Sequence, residues 1–229
     1  MENNTNENPY LTRLKNMKNI NSWLMEQRGK KAVEALKKNA FEAVYVNDSN
    51  TARAEILKLI PKDAKVGVGG SMTMRQLGVL DELEKMGNLI YDHWKPGLSP
   101  EDVLNIRKAH LSCDVFLASA NAVTLEGMLV NTDGIGNRAG AMMFGPNRMI
   151  IVAGVNKIVN DLQSAFRRIK EIATPRVVKD MGIDLPCATT GICIDCNSPM
   201  RACRATVILE RRPFLSDIHV FMVGEDLGF

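Results

Sequence analysis

Four cysteines lie within seventeen residues near the end of the chain and are spaced C-x5-C-x2-C-x6-C. They are Cys187, Cys193, Cys196 and Cys203, and Cys113 is the only other cysteine in the sequence. Thiolates at such short spacing are the usual ligands of tetrahedral zinc and of iron–sulfur clusters. The spacing therefore predicts a metal site that these four side chains form together.

The kind of metal follows less directly from the spacing. The segment lacks the paired C-x2-C knuckles of a zinc ribbon, and it does not match the ferredoxin pattern. Arg201 and Arg204 flank the last cysteine, where their charges can offset those of thiolates. We expect a [4Fe–4S] cluster, with structural zinc as the alternative. Four incidental thiols are disfavoured by the density of cysteine here.

A glycine-rich segment, VGVGGSMT, spans residues 66–73, where a strand is expected to give way to a helix. The backbone amides of Gly69 and Gly70 can converge on an anion there, and the hydroxyls of Ser71 and Thr73 can contact it. The segment lacks the Lys-Ser/Thr ending of a Walker loop and the third glycine of a dinucleotide fingerprint. It predicts a site for a small anion, and a tight turn with Ser71 as helix cap is the alternative.

A third candidate region, SANAVTLEGMLVNTDGIGNRAG, spans residues 119–140. In it Glu126 precedes a glycine and is a candidate nucleophile or general base. Asn121 and Asn137 are candidate hydrogen-bond donors, and Arg138 is a candidate clamp for an anion. The alternative places Glu126 on the surface of a hairpin and Asn137 in a left-handed turn.

Lys157 follows the apolar segment MIIVAGV, residues 149–155, at a position where α/β sheets place groups that contact ligands. A solvated lysine ahead of a helix is the alternative. We expect the ligand site to lie between the glycine-rich segment and residues 121–138, with Lys157 nearby.

The composition argues against several classes of protein. The chain has 229 residues, of which 45% are hydrophobic, enough for a substantial core. The net charge of +3 and the 5% of aromatic residues argue against nucleic-acid binding. We expect no membrane span and no signal peptide, because no segment has the required apolar length or layout. We therefore expect a cytoplasmic protein, in which clustered thiols stay reduced.

Short apolar strands alternate with amphipathic helices, a pattern typical of an α/β fold with a mostly parallel, Rossmann-like sheet. The expected divisions are disorder in residues 1–8, a helical segment in 9–40 that Gly29 divides, an α/β core in 41–186, and a cysteine-rich loop with two closing strands of the same domain in 187–229.

Within the core, three elements are expected around the candidate site. They are one helix over residues 71–86, one strand over residues 122–131, and a helix over residues 160–174 that Pro175 ends.

Taken together, these motifs resemble the LUD (lactate-utilisation) domain family over nearly the whole chain, from Tyr10 to Phe229. The resemblance rests on VGVGGSMT, ANAVTLEGMLVNTDGIGNR, MIIVAGVNKIV and the closing segments PCATTGICIDCNSPMRACR and HVFMVGEDLGF. It implies a fold like that of ribose-5-phosphate isomerase, glucosamine-6-phosphate deaminase and the CoA transferases. In those sugar-phosphate enzymes the comparable loop holds the phosphate, and the clustered cysteines resemble those of short, single-domain members of the family.

The resemblance also implies a function. It favours a subunit or accessory protein in the utilisation of lactate or a related small hydroxy acid, beside iron–sulfur partner proteins and with a small anionic metabolite as ligand. The alternatives are an independent isomerase- or CoA-transferase-like enzyme on a phosphorylated or carboxylated metabolite, and a ligand-binding regulator with a structural metal. The residues leave open whether the chain is itself an enzyme and whether it forms a homodimer.

Overall fold

The computed structural model describes residues 9–229, so the predicted disorder of residues 1–8 lies outside the described part. Its strands are β1 (Glu42–Val46), β2 (Lys65–Val68), β3 (Leu89–Asp92), β4 (Val115–Ser119), β5 (Ala122–Thr124), β6 (Leu129–Asp133), β7 (Arg148–Gly154), β8 (Ile158–Val159), β9 (Ala205–Leu209) and β10 (Asp217–Val223). Six of them form a central sheet in the order β1–β10–β7–β4–β2–β3, in which all neighbouring strands are parallel. This confirms the predicted α/β, Rossmann-like fold.

The helices are α1 (Pro9–Lys38), α2 (Ser49–Lys58), α3 (Met72–Leu77), α4 (Val79–Lys85), α5 (Pro100–Ala109), α6 (Asn137–Met143), α7 (Leu162–Arg168), α8 (Thr174–Asp180) and α9 (Pro186–Thr190). Short polar side chains start several of them. Asp48 caps α2, and Ser99 with Asp102 forms a capping box on α5, which satisfies amides that a helix start leaves unpaired. Among residues 9–229, no helix combines the length and apolar character that crossing a bilayer requires.

The central sheet is covered on both faces. Along β7, Ile150 and Val152 belong to a core shared with α2, α3 and α4, whereas Met149, Ile151 and Ala153 belong to a core shared with α1 and the β5–β6 hairpin. Successive side chains of a strand point to opposite faces, so a strand buried on both faces must be apolar throughout. Strand β7 meets this requirement, because it is apolar from Met149 to Gly154.

A second, smaller sheet has the order β8–β5–β6–β9 and contains the hairpin of β5 and β6. The single strand expected over residues 122–131 is therefore wrong. The chain turns at Gly127, where φ is +82° and an added Cβ would lie 2.4 Å from the backbone of Ala35 in α1. Asn39 donates hydrogen bonds to the carbonyls of Glu126 and Gly127 and ties the turn to the end of α1. Only glycine fits that close approach.

Two glycines change the predicted division of the helices: Gly78 divides a segment that was predicted to be one helix, and Gly29 does not divide α1. Gly78 has φ of +65° and ends α3, so the helix expected over residues 71–86 is two helices. Gly29 does not divide α1; an added Cβ there would lie 2.6 Å from the ring of Tyr45, so this glycine makes room for an aromatic side chain.

The predicted end of a helix at Pro175 is also wrong. A π-helical turn, Ile169–Ala173, joins α7 to α8, and the chain stays helical through Pro175 to Asp180. Pro175 lies in the first turn of α8, where the lack of an amide donor is tolerated because the preceding turn is already widened.

Candidate functional site

A pocket of about 360 Å³ opens at the carboxyl end of the central sheet. Gly70 follows β2, His93 and Trp94 follow β3, and Asn121 follows β4, and all four residues line the pocket. The chain passes from β2 to β3 on one side and then to β4 on the other side of β2. Loops diverge where the strand order reverses in this way, and ligands of open α/β sheets bind in the resulting crevice.

Three further segments contribute to the pocket lining. They are residues 132–138, from the end of β6 to the start of α6; residues 173–183, around α8; and residues 199–204, within the cysteine segment. The pocket is therefore assembled from parts of the chain that are distant in sequence.

The pocket lining carries more positive than negative charge. Its arginines are Arg107, Arg138, Arg201 and Arg204, and its carboxylate is Asp133. Asp133 pairs with Arg138, and Arg201 pairs with the exposed Asp195 outside the pocket. Arg107 and Arg204 form no ion pair within the described part of the chain. Two guanidinium groups thus lack a carboxylate partner, an arrangement that favours an anionic ligand.

Arg138 is held rigidly at the pocket wall. Its Nη2 lies 2.7 Å from Oδ1 of Asp133, and it also donates to Oδ1 of Asn121 at 3.1 Å and to the carbonyl of Thr132 at 2.9 Å. An added Cβ on Gly69 would lie 3.3 Å from the methylenes of Arg138. The glycine therefore lets the backbone after β2 pack against this arginine.

Two buried polar atoms of the pocket residues, Nδ1 of His93 and Nε of Arg107, have no hydrogen-bond partner in the described part of the chain. Such atoms are rare in folded proteins, and a bound polar ligand is one way to satisfy them. Burial, followed by the nearby charge of Arg107, lowers the pKa of His93 to about 4. His93 is therefore neutral at pH 7 and can both donate and accept a hydrogen bond.

Trp94 forms an apolar wall of the pocket. An added Cβ on Gly70 would lie 2.5 Å from the indole ring, so the ring packs directly on the glycine backbone. The guanidinium of Arg75 lies 4.8 Å from the centre of the ring and pairs with Asp92 at 2.9 Å. These contacts fix the indole in place.

Lys157 is buried beneath the same end of the sheet, with 3% of its surface exposed. Its Nζ donates to Oγ1 of Thr73 at 2.9 Å and to Oγ of Ser119 at 2.8 Å. Burial, together with the charges of Arg168 and Arg138, lowers the pKa of Lys157 to about 7. Because its partners among the described residues are hydroxyls and no carboxylate, this lysine is close to losing its charge at neutral pH.

The glycine-rich segment lies partly outside the pocket. Gly70 is part of the lining, but the hydroxyl of Ser71 accepts from the amide of Met74 and caps α3. The hydroxyl of Thr73 accepts a hydrogen bond from Lys157 and donates one to the hydroxyl of Ser119. Contact of Gly69, Ser71, Thr73 or Lys157 with a ligand stays a prediction.

The third region also separates into two parts. Asn121, Asn137 and Arg138 line the pocket. Glu126 is exposed in the turn between β5 and β6 and is not part of that lining. The geometry of the pocket thus gives Glu126 no contact with a ligand there, and its catalytic role stays a prediction.

The four cysteines of the predicted metal site line one small enclosed space. Cys187 lies on α9, and the other three lie in the loop between α9 and β9. All four are free thiols, and burial raises the pKa of Cys187, with the neighbouring thiols adding to the shift. Within residues 9–229, no three side chains of the metal-binding types are arranged to hold an ion. The thiols converge, and metal binding stays a prediction.

His93, Trp94 and Arg107 line the pocket but were not predicted from the sequence. A signal for the first two was present: they come directly after the apolar strand β3, as Lys157 comes after β7. Arg107 lies on α5, half-buried, and nothing in its local sequence distinguishes it from the other basic residues of that helix.

The fold and pocket define an α/β domain with a pocket at the carboxyl edge of its sheet. The model of the LUD domain family matches residues 29–223. The chain belongs to the LUD domain family, which supports a role generally related to lactate utilisation. No protein of curated function matches the chain.

A solved structure of similar fold is that of a DUF162 family protein from Deinococcus radiodurans. The two chains are 14% identical, the TM-score is 0.51, and the match covers 87% of this chain and 98% of that one. At this identity the likeness supports the fold alone.

Proposed function

We propose that this LUD-family chain binds lactate or a related small hydroxy acid in the pocket at the carboxyl edge of its sheet. In this proposal it is a subunit or accessory protein in the utilisation of that acid, and its redox partners are iron–sulfur proteins. The observation that carries the proposal is the positive pocket, in which Arg107 and Arg204 have no carboxylate partner among residues 9–229.

The polar groups of the pocket suit a hydroxy acid. A guanidinium recognises a carboxylate through paired N–H donors, and Arg107 has a buried Nε without a partner. A hydroxyl group beside the carboxylate needs a neutral partner that accepts or donates, and His93 is neutral at pH 7 because burial lowers its pKa to about 4. One charged and one neutral group can thus recognise the two functional groups of the acid.

The apolar groups favour a ligand with a hydrocarbon part. The lining includes Trp94, Ile135, Val177, Met181 and Met200. A volume of about 360 Å³ is at the small end of ligand pockets. A short-chain carboxylic acid satisfies both conditions better than inorganic phosphate, which has no apolar surface.

No contact in the pocket favours the alternative of an isomerase- or CoA-transferase-like enzyme, since the candidate nucleophile Glu126 is exposed elsewhere. A purely regulatory role would use the same pocket without turnover. Measurement of product formation with the same acids separates that role from the proposed one.

Isothermal titration of the protein with L-lactate tests the proposal, with L-lactamide as the uncharged control ligand. We expect binding of lactate and none of lactamide. Arg107→Gln should weaken lactate binding by about tenfold or more, equivalent to about 1.4 kcal/mol. Arg211→Gln, an exposed arginine outside the pocket, is the matched control and should bind as the wild type does. Equal binding of acid and amide, or no effect of Arg107→Gln, would contradict the proposal.

A further inference from the structure

The space between the four cysteines has the lining of a soft-metal site, although within residues 9–229 no three metal-binding side chains are arranged to hold an ion. Besides the thiols, it is lined by apolar groups, among them Leu185, Ile194 and Ala202, and by the cationic residues Lys170 and Arg201. The lining contains neither carboxylate nor imidazole. Thiolate ligands, an apolar surround and nearby positive charge are the conditions that stabilise an iron–sulfur cluster in a protein.

This space shares a wall with the ligand pocket. Thr174, Arg201 and Ala202 line both the space between the cysteines and the pocket. The cysteine site therefore lies directly behind one side of the pocket, and the wall between them consists mainly of residues 199–204.

Arg201 holds this wall together. Its guanidinium donates to the carbonyl of Cys203 and to that of Cys196, each at 2.8 Å, and it pairs with Asp195 at 2.7 Å. One side chain thus connects the backbone at two of the four cysteines. A change in the spacing of those two cysteines would therefore alter the contacts of a residue that lines the pocket.

The wall is also joined to the pocket side. The amide of Arg204 donates to the carbonyl of Asp133 at 3.0 Å, and an added Cβ on Gly134 would lie 3.1 Å from the carbonyl oxygen of Ala202. The cysteine loop and the loop after β6 therefore pack backbone to backbone.

The cysteine loop itself has few buried side chains. Ile192, Ile194 and Met200 are each more than 60% exposed. Such segments open locally at low free-energy cost, and binding of several ligands to one rigid group removes that freedom.

We propose that Cys187, Cys193, Cys196 and Cys203 bind a [4Fe–4S] cluster, and that the bound cluster fixes residues 199–204 as a wall of the ligand pocket. When bound, the cluster supplies a redox group whose potential depends on its hydrogen bonds and exposure. Cluster binding stands on the cysteine site alone. The effect on ligand affinity rests on the proposed function, because it treats the pocket as the site of the acid.

Metal analysis and the visible spectrum of anaerobically purified and reconstituted protein test the first half. We expect about four iron and about four sulfide per chain, with broad visible absorption that dithionite bleaches. Cys196→Ser should lose most of this absorption, whereas Cys113→Ser, a buried thiol outside the site, should keep it. Colourless protein with one zinc, no metal after reconstitution, or full absorption in Cys196→Ser would overturn cluster binding.

Hydrogen–deuterium exchange of loaded and chelator-stripped wild-type protein tests the second half without any ligand. Cluster loading should slow amide exchange in residues 187–204 and also in residues 131–138 across the shared wall. Protection confined to residues 187–204 would overturn the effect on the pocket.

Titration of both forms with L-lactate then measures the coupling. Stripping the cluster should weaken binding by about tenfold, equivalent to about 1.4 kcal/mol, and equal affinities would contradict the coupling. If lactate binds neither form while the spectrum and exchange results are as expected, the proposed function fails and the cluster-supported wall stands. If lactate binds but the protein is colourless, the proposed function stands and the proposed cluster fails.

Discussion

The two sides of the pocket place an arginine in different settings. On the sheet side, Arg138 pairs with Asp133, whose side chain is 9% exposed. On the cysteine side, Arg201 pairs with Asp195, whose side chain is 63% exposed. Loss of one partner of a buried ion pair strongly lowers the free energy of unfolding, whereas an exposed ion pair contributes little to it. Folding therefore fixes the sheet side, whereas in our proposal a cluster bound by the thiols fixes the cysteine side.

Arg138→Met should have the largest effect on stability, because it leaves the buried carboxylate of Asp133 without a counter-charge. We expect a loss of about 3 kcal/mol in the free energy of unfolding in urea. Adding Asp133→Asn to this variant should recover part of the loss. A single variant as stable as the wild type would show that the sheet side is no more rigid than the cysteine side.

Lys157→Met tests the buried amine next to the sheet side through its pH dependence. In the folded protein the pKa of Lys157 is about 7, well below the ordinary lysine pKa of 10.5, so the unfolded chain binds more protons between these values. The stability that this residue contributes therefore rises with pH across that window. The difference between wild type and Lys157→Met should change by on the order of 2–3 kcal/mol from about pH 7 to about pH 10 in reducing buffer. Parallel pH profiles would refute the lowered pKa.

Gly70→Ala should have an intermediate effect, because the new Cβ would lie 2.5 Å from the indole of Trp94. We expect a loss of about 1–2 kcal/mol in thermal or urea unfolding, together with weaker lactate binding as the ring moves. Gly140→Ala is the matched control: its Cβ would come no closer than 3.5 Å to a flexible side chain. If both variants behave alike, the contact between glycine and Trp94 does not shape the pocket.

Arg201→Met should have the smallest effect on global stability, since its ion pair is exposed. In chelator-stripped protein we expect only a small loss in the free energy of unfolding, below that of Gly70→Ala, from the hydrogen bonds of Arg201 to the carbonyls of Cys196 and Cys203. In loaded protein we expect faster loss of the visible absorption in air, because Arg201 ties Cys196 to Cys203. A large loss of stability in the stripped form would place both sides of the pocket in one rigid unit.

Much of the fold was predictable from local patterns. Apolar runs such as Met149–Val155 place the strands of the sheet, and Ser99 with Pro100 marks the start of α5. The errors occur where a distant contact decides the conformation. Gly127 turns because α1 packs on it, and the chain continues through Pro175 because a π-helical turn precedes it.

The candidate site was predictable only in part, for a related reason. Asn121 and Arg138 were predicted from their own segment and line the pocket, as does Gly70. His93 and Trp94 line the pocket because β3 lies beside β2 in the sheet. The residues around them in the sequence do not reveal this strand order. The segment with Ser71 and Thr73 has the composition of an anion site, yet its hydroxyls bond to the protein.

A crystal structure of the protein with L-lactate would locate the bound acid. We expect its carboxylate within hydrogen-bond distance of Arg107 or Arg204, in the pocket lined by Trp94. A pocket filled only with water, with the acid bound instead at the glycine-rich segment over Ser71, would show that the proposed site is wrong.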